Sequence, residues 1–230
     1  MFYDLLYVLP ALLLTLIASA HVKSTYARFR EVRASSGICA ESVARRILDA
    51  HGLTHIRIER IAGDLTDHFD PTAGVIRLSE SVYGSSSVAA IGVAAHECGH
   101  AVQYAQSYAP MRVRASIIPV TNFASRFAVP MVLIGMLLAA YGEMMLAVAY
   151  AGVILFGFCV LFQLVTLPVE FNASRRAMSV LREESILSAD ELGGAKKVLS
   201  AAAMTYVASL AGTLLQLLRL ISVVNNSRRR

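Results

Sequence analysis

The sequence has 230 residues, a formal net charge of +5 and three cysteines. Apolar residues make up 56% of it, charged residues only 16%, and the mean hydropathy is +0.58. Soluble domains have about a quarter charged residues, so this composition excludes a soluble globule as well as a disordered chain and indicates a membrane protein. Cys39, Cys98 and Cys159 show no CxxC spacing, which argues against a disulfide scaffold or a thiolate zinc site.

Four apolar stretches are long enough to cross a bilayer, which takes about 20 residues of helix. They are residues 2–20, 122–140, 144–168 and 198–218. The third carries no charged residue and is the clearest transmembrane segment. The fourth contains several Ser, Thr and Ala residues, so it can either span the bilayer or pack on protein. We therefore expect three or four transmembrane helices.

The basic residues predict the orientation of these stretches. Most of the 21 Lys and Arg residues lie either between residues 23 and 126 or between residues 175 and 197. By the positive-inside rule both segments are cytoplasmic, and residues 141–143 form a short outer turn. The first stretch is then an uncleaved anchor with its N-terminus outside. Arg228, Arg229 and Arg230 would lie outside if the fourth stretch spans, so its placement stays open.

The chain divides into five predicted segments. They are an N-terminal membrane anchor (1–20), a cytoplasmic portion (21–110), a transmembrane hairpin (117–168), a third-ligand helix with a cytoplasmic loop (169–197) and a C-terminal hydrophobic helix (198–224).

Within the cytoplasmic portion, the hydrophobic periodicity predicts a helix over 39–50 that Gly52 ends. Residues 55–61 alternate as a strand, 66–74 read as a turn, and Val75–Leu78 read as the second strand of a hairpin. From Ser85 to about Gln106 the chain is Ala-rich and predicted to be helical.

The segment His96-Glu97-Cys98-Gly99-His100 is the most informative part of the sequence. On a helix, residues four apart face the same way, so His96 and His100 can converge on one ion. Zinc accepts neutral imidazole and keeps an open position for water, and Glu97 would act as general base on that water. The neighbouring residues are apolar, and two histidines there would be costly unless ligated or paired. Core histidines with satisfied hydrogen bonds are the alternative.

A catalytic zinc ion needs a third protein ligand. The metzincin pattern would place Gly at 103 and His at 106, where this sequence has Gln103 and Gln106. Glu170 is the candidate instead, because Pro168 is expected to open a helix with Glu170 in its first turn. The predicted hairpin also returns the chain to the face where the two histidines lie. A carboxylate stabilised by the helix dipole is the alternative for Glu170.

These motifs resemble the bacterial YugP-like membrane zinc metallopeptidases. The resemblance covers nearly the whole chain and rests on AAHECGHAVQYAQ, LPVEFNASRRAM and AKKVLSAAAMTYVASL. It implies a gluzincin-type peptidase with one catalytic Zn²⁺ held by His96, His100 and Glu170. More distantly the chain is similar to HtpX-like and CAAX-prenyl peptidases, which carry Asp four residues after the ligand Glu. That position is Ser174 here, with Asn172 two residues before it, and either would be a neutral replacement that orients a histidine.

Two further groups of residues are candidates for the site, the first from the resemblance and the second from its own sequence surroundings. Gluzincin-like sites bind peptide as an added strand on an exposed sheet edge, and Val75, Ile76, Arg77 and Leu78 fit that place. An ordinary buried strand is the alternative. His68, flanked by Asp67 and Asp70, is a candidate for stabilising the oxyanion or binding a second ion, or else a turn residue with local hydrogen bonds.

The expected fold is a mainly α membrane protein with three or four transmembrane helices and a small α+β zincin-like catalytic portion that contains a short β-hairpin. The expected function is that of a zinc metalloendopeptidase in the bacterial cytoplasmic membrane, multi-pass, cutting protein or peptide substrates at the cytoplasmic face. A non-catalytic membrane scaffold with a structural metal is the alternative. A membrane partner protein or homo-oligomer is compatible with the sequence, whereas nucleic-acid binding has no support because the basic residues follow the membrane flanks.

Overall fold

In a computed structural model, the backbone of residues 2–227 and the side chains of residues 5–226 are described. The predicted position of the arginines at 228–230 therefore lies outside the described residues. In chain order the helices and strands are α1 (Phe2–Arg30), α2 (Ala40–Ala50), β1 (Arg57–Ile61), β2 (His68–Asp70), β3 (Val75–Ser79), α3 (Val88–Ala105), α4 (Ala109–Leu137), a short 3-10 helix (Ala139–Tyr141), α5 (Glu143–Glu183) and α6 (Ala189–Ser227).

Four of these helices are long and apolar enough to cross a membrane. Their apolar windows lie within Leu5–Arg30, Ala109–Leu137, Glu143–Glu183 and Ala189–Asn226. The prediction of a mainly helical membrane protein with a small sheet is thus confirmed. The helices extend well beyond the apolar stretches, and α5 continues to Glu183, past Glu170 of the predicted metal site. Which side of the bilayer each helix end faces stays a prediction from the positive-inside rule.

One compact unit contains α1 up to Ala18, residues Arg112–Leu167 and the chain from Thr205 onward. Within it, α4 and α5 touch through glycines. A Cβ at Gly135 would lie 2.5 Å from the backbone nitrogen of Ala149, and one at Gly152 would lie 2.7 Å from the carbonyl oxygen of Ala128. Small residues at such points let helix backbones approach closely, which is how transmembrane helices gain packing energy without a hydrophobic driving force.

The expectation that Pro168 opens a helix is wrong. Pro168 lies inside α5, which runs without interruption from Glu143 to Glu183, so Glu170 is not in a first turn. A proline interrupts a helix because it lacks a backbone N–H, but membrane helices tolerate it where neighbouring groups accommodate the freed carbonyl. Here the apolar helix simply continues past the proline.

The second unit consists of residues 19–111 and 168–204 and contains the sheet. Strand order is β1-β3-β2, with β1 parallel and β2 antiparallel to β3. The predicted hairpin therefore exists, but its first strand is β2 and not the 55–61 segment, and β2 lies within the predicted turn at 66–74. Alternation of apolar residues identifies a strand without naming its neighbour, and a three-residue strand is too short to show alternation.

The position of β3 also corrects the placement of Val75, Ile76, Arg77 and Leu78 at an exposed sheet edge. β3 is the central strand, so its backbone is paired on both sides. Val75, Ile76 and Leu78 are fully buried, as expected of an ordinary buried strand. The free edges of the sheet belong to β1 and β2.

The helices that pack on this sheet form as the sequence predicts. α2 buries Val43, Ile47 and Leu48 and ends at Ala50, with Gly52 in the left-handed region at φ +70°. α3 begins after Ser87, whose side chain accepts a hydrogen bond from the backbone N–H of Ala90 and so caps the helix. Almost every residue of α3 is buried, which makes it the central helix of this unit.

We predict that Gly152→Ala lowers the stability of the protein in detergent by about 1–3 kcal/mol, because the added methyl group would overlap the backbone of α4. Gly157→Ala, in the same helix, is the matched control, since a Cβ there meets nothing within 4 Å. Thermal unfolding of the two variants in one detergent measures the difference. Equal midpoints would contradict the close contact of α4 and α5.

Candidate metal centre

His96, His100 and Glu170 bring three ligand atoms together. α3 presents the two imidazoles one turn apart, with ring centroids separated by 4.7 Å, and α5 supplies the carboxylate. The Oε2 atom of Glu170 lies 3.4 Å from Nε2 of His96 and 3.5 Å from Nε2 of His100. All three ligand atoms lie within 4.8 Å of one another. The fold thus brings Glu170 next to His96, although the two residues are 74 positions apart in the sequence.

The donor set and its spacing fit a zinc ion. Two ligands that each lie about 2.1 Å from a tetrahedral zinc ion are separated by roughly 3.4 Å. The two distances from Glu170 to the imidazole nitrogens match that separation. Imidazole nitrogen and carboxylate oxygen are also the ligands that catalytic zinc sites use, and three protein ligands leave a fourth position for water.

The approach of α5 to α3 depends on Gly99, which lies between the two histidines. A Cβ built at Gly99 would be 2.7 Å from the carbonyl oxygen of Ala173 and 3.2 Å from its Cα atom. Real Cβ atoms do not come that close to backbone, so a side chain at this position would push α5 away. The glycine therefore sets the distance over which Glu170 reaches the imidazoles.

The outer ring nitrogen of each histidine has its own partner. The Nδ1 atom of His96 lies 3.1 Å from the hydroxyl oxygen of Ser174, and Nδ1 of His100 lies 3.0 Å from Oε1 of Gln103. The Gln103 oxygen can only accept, so it keeps the proton of His100 on Nδ1 and leaves Nε2 with a lone pair for a metal. The Ser174 hydroxyl has the same effect on His96 when it accepts. Ser174, one of the two predicted replacements, thus contacts a ligand histidine directly.

Gln103 is fully buried, and its amide is oriented by two acceptors on α5. Its Nε2 donates to the carbonyl oxygen of Val169 at 2.8 Å and to Oδ1 of Asn172 at 2.9 Å. Because the NH₂ group is used there, the oxygen faces His100. Asn172, the other predicted replacement, contacts neither histidine in these hydrogen bonds. It orients Gln103, which in turn contacts His100.

The same chain of hydrogen bonds continues to the surface. Asn172 also accepts from Nε of Arg176 at 2.8 Å, and Arg176 donates from Nη1 to Oε1 of Gln106 at 2.7 Å. Both glutamines that rule out the metzincin pattern therefore take part in holding α3 and α5 together. Sequence reasoning missed Gln103, although its place three residues after His100 on a helix put it on the ligand face.

Glu97 and Glu170 make the site electronegative. Glu97 is 8% exposed and Glu170 2% exposed. Burial lowers the pKa of His100, but the hydrogen bond to Glu170 and the charges of Glu97 and Glu170 outweigh it and raise that pKa above its usual value. An environment that favours positive charge on an imidazole also favours a bound cation.

His68 lies in β2, the strand that contacts α3 through Phe69 and Tyr104. Its Nδ1 is 2.9 Å from the carbonyl oxygen of Thr66, and its Nε2 is 3.3 Å from Nη1 of Arg77. Among the described residues, the group of neighbouring ligand atoms does not include it. Arg77 also pairs with Asp70 at 2.9 Å, so His68 belongs to a polar cluster on the sheet.

We predict that Gly99→Ala weakens zinc binding by about tenfold or more, because the methyl group would displace α5 and Glu170 with it. The control is Gly92→Ala, also in α3, whose Cβ would meet the Cβ of Ala195 at an ordinary 3.4 Å. A competition titration with a fluorescent zinc chelator measures both. Wild-type affinity in Gly99→Ala would show that the contact of α3 and α5 does not set the site.

We further predict that Gln103→Met, which keeps the size of the side chain but cannot accept from His100, weakens zinc binding about 10–100-fold. Gln106→Met makes the same change three residues on, where the side chain contacts Arg176 and no ligand. The chelator titration should separate the two variants. A loss of the same size in both would assign the effect to the helix contact and not to His100.

Comparison with known proteins agrees with this chemistry. Residues 4–225 match the family described as “Putative neutral zinc metallopeptidase”. The chain is 47% identical over 220 residues to the “Putative membrane protease YugP” of Bacillus subtilis (strain 168), covering 96% of each sequence. No solved structure matches. The chain therefore belongs to the family described as “Putative neutral zinc metallopeptidase”.

Proposed function

We propose that this protein is a zinc-dependent endopeptidase anchored in the bacterial cytoplasmic membrane, which hydrolyses peptide bonds of protein substrates at the cytoplasmic face. The observation that carries the proposal is the convergence of His96, His100 and Glu170 within 4.8 Å. Membership of a zinc metallopeptidase family supports the reaction class. The orientation rests on the basic residues that flank the apolar helices.

His96, His100 and Glu170 would hold the ion through Nε2, Nε2 and Oε2. When bound, zinc supplies a Lewis acid that polarises the scissile carbonyl and lowers the pKa of water. The chain's own part is to keep the three ligand atoms at fixed distances. Ser174 and Gln103 hold the imidazole planes through Nδ1, and the contact at Gly99 holds α5. Two histidines and a downstream glutamate as ligands would make the protein a gluzincin-type peptidase, as the family resemblance implies.

Glu97 is the proposed general base. Its carboxylate would take a proton from the attacking water and donate it to the amine of the departing peptide. A base for this step must be close to the ligand histidines but must not itself be a ligand. Glu97 is adjacent to His96, buried, and outside the cluster of ligand atoms that contains Glu170.

A scaffold with a structural metal is not favoured. Structural zinc sites are closed by four protein ligands, whereas the cluster found among the described residues supplies three. A structural site also has no use for a buried carboxylate beside its first histidine. The combination of an incomplete ligand set and Glu97 favours catalysis.

We predict that Glu97→Gln keeps about one zinc ion per chain but loses roughly 10²–10⁴-fold in the rate of cleavage of an unfolded, casein-like substrate. Glu170→Ala should lose both zinc and activity, because it removes a ligand. Metal analysis and a cleavage assay on the same detergent preparations distinguish the two variants. Glu80→Gln, an exposed residue paired only with Arg60 at 3.4 Å, is the control for loss of a carboxylate.

Cleavage by Glu97→Gln at the wild-type rate would overturn the role of Glu97. Full zinc content in Glu170→Ala would overturn the ligand set.

A further inference from the structure

A second site lies in the same unit as the metal centre but shares no residue with it. It is a cavity of about 810 Å³ between the last turns of α1 and the first half of α6. This volume is within the range of about 300–1,000 Å³ typical of small-molecule sites. Neither the zinc ligands nor the residues that hold them line it, so the peptidase reaction does not account for it.

Three cations line this cavity: Arg28 from α1, and Lys196 and Lys197 from α6. None of its lining residues is acidic. Among ion pairs of residues 5–226, none uses these three cations, although Arg30 and Arg46 elsewhere in this unit do pair with glutamates. Positive charge collected in a concave site with no internal counter-ion is a binding surface for an anion.

One aromatic ring organises the positive end. The guanidinium carbon of Arg28 lies 5.5 Å and the Nζ atom of Lys197 lies 5.9 Å from the ring centroid of Phe29. Phe29 can take this position because Gly194 has no side chain. A Cβ there would be 2.9 Å from the ring. The ring of Phe29 thus holds Arg28 of α1 and Lys197 of α6 near each other at the same end of the cavity.

The α6 wall of the cavity becomes less polar with distance from the two lysines, while α1 adds His21, Ser24 and Thr25 to the lining. Along α6 the lining passes from Lys196 and Lys197 through Ser200 to Ala201 and Met204. Seven residues of helix separate Lys197 from Met204, which is about 10 Å. Both walls belong to helices whose apolar windows are long enough to cross a membrane. The gradient from cations through a hydroxyl to apolar side chains matches a phospholipid, whose phosphate is followed by ester and acyl groups.

We infer that this cavity binds the phosphate-bearing headgroup of an anionic phospholipid. A lipid headgroup and free phosphate share the charged phosphate oxygens that Arg28, Lys196 and Lys197 would contact. Ala201 and Met204 on the α6 wall favour a lipid as their source. Juxtamembrane basic clusters are a general means of binding anionic lipids.

The test uses the full chain in a neutral detergent, with native mass spectrometry to count bound phosphatidylglycerol, phosphatidylcholine or inorganic phosphate. The wild type should bind phosphatidylglycerol about tenfold or more tightly than phosphatidylcholine. The variant R28Q/K196Q/K197Q should lose this preference. The matched control K23Q/R33Q/R182Q removes the same charge from exposed residues of the same unit that do not line the cavity, and should keep it.

A second variant leaves the charges in place. Ser200→Trp fills the cavity and should weaken binding of phosphatidylglycerol about tenfold without changing the net charge. Three results would overturn the inference: equal losses in both triple variants, equal binding of the two lipids, or displacement of phosphatidylglycerol by millimolar inorganic phosphate. The first two would indicate unspecific attraction, and the third a site for small anions.

Discussion

The contact between the backbone of α3 at Gly99 and that of α5 at Ala173 is the constraint on which the metal centre depends. The two helices approach so closely that a Cβ atom added at Gly99 would lie 2.7 Å from the carbonyl oxygen of Ala173. Helices that carry ordinary side chains at their contact pack about 8–10 Å apart. A short side chain such as that of Glu170 can reach imidazoles on a neighbouring helix only when the helix axes come close. Without this close contact, α3 would present two histidines that lack the third ligand candidate, Glu170.

Buried polar groups then make this contact specific. Gln103, Asn172 and Ser174 lie at the junction, and each one bonds to a group on the opposite helix. An unpaired amide in such a place would cost about 1–3 kcal/mol, so the two helices are held in the one register that satisfies it. The same bonds orient His96 and His100. The hydrogen bonds that hold α3 and α5 together are therefore part of the same network that orients the two histidines.

The sequence was a good guide wherever local periodicity carries the information. The spacing of His96 and His100 placed both on one helix face, and the apolar runs located all four long helices. The sequence also predicted that Glu170 lies beside His96 and His100, about 70 residues away, but for a partly wrong reason. That argument relied on Pro168 opening a helix, whereas α5 continues through it. The pairing survives because Glu170 needs only to lie on the face of α5 that meets Gly99.

Sequence reasoning failed where the answer depends on partners distant in the chain. Val75–Leu78 was recognised as a strand, yet its placement at a sheet edge was wrong, since β1 and β2 occupy both its sides. Sequence reasoning used Gln103 only to exclude the metzincin pattern, which requires Gly at that position. Its importance comes from Val169 and Asn172, which no pattern within α3 can reveal.

Cys98 and Gly99, two of the three residues between the histidines, show that α3 packs on a different helix on each side. The thiol of Cys98 points away from the ligands and lies 3.5 Å from the carbonyl oxygen of Ala44 in α2, while Gly99 meets α5. Burial raises the pKa of this thiol, which favours its protonated form. Cys98 is thus a core residue inside a metal-binding motif. Within one turn and a half, successive residues of α3 would provide, in the proposed mechanism, a ligand (His96), a base (Glu97) and a second ligand (His100), while Cys98 packs in the core and Gly99 meets α5. Any insertion or deletion here would rotate each of these functions by about 100° onto the wrong neighbour.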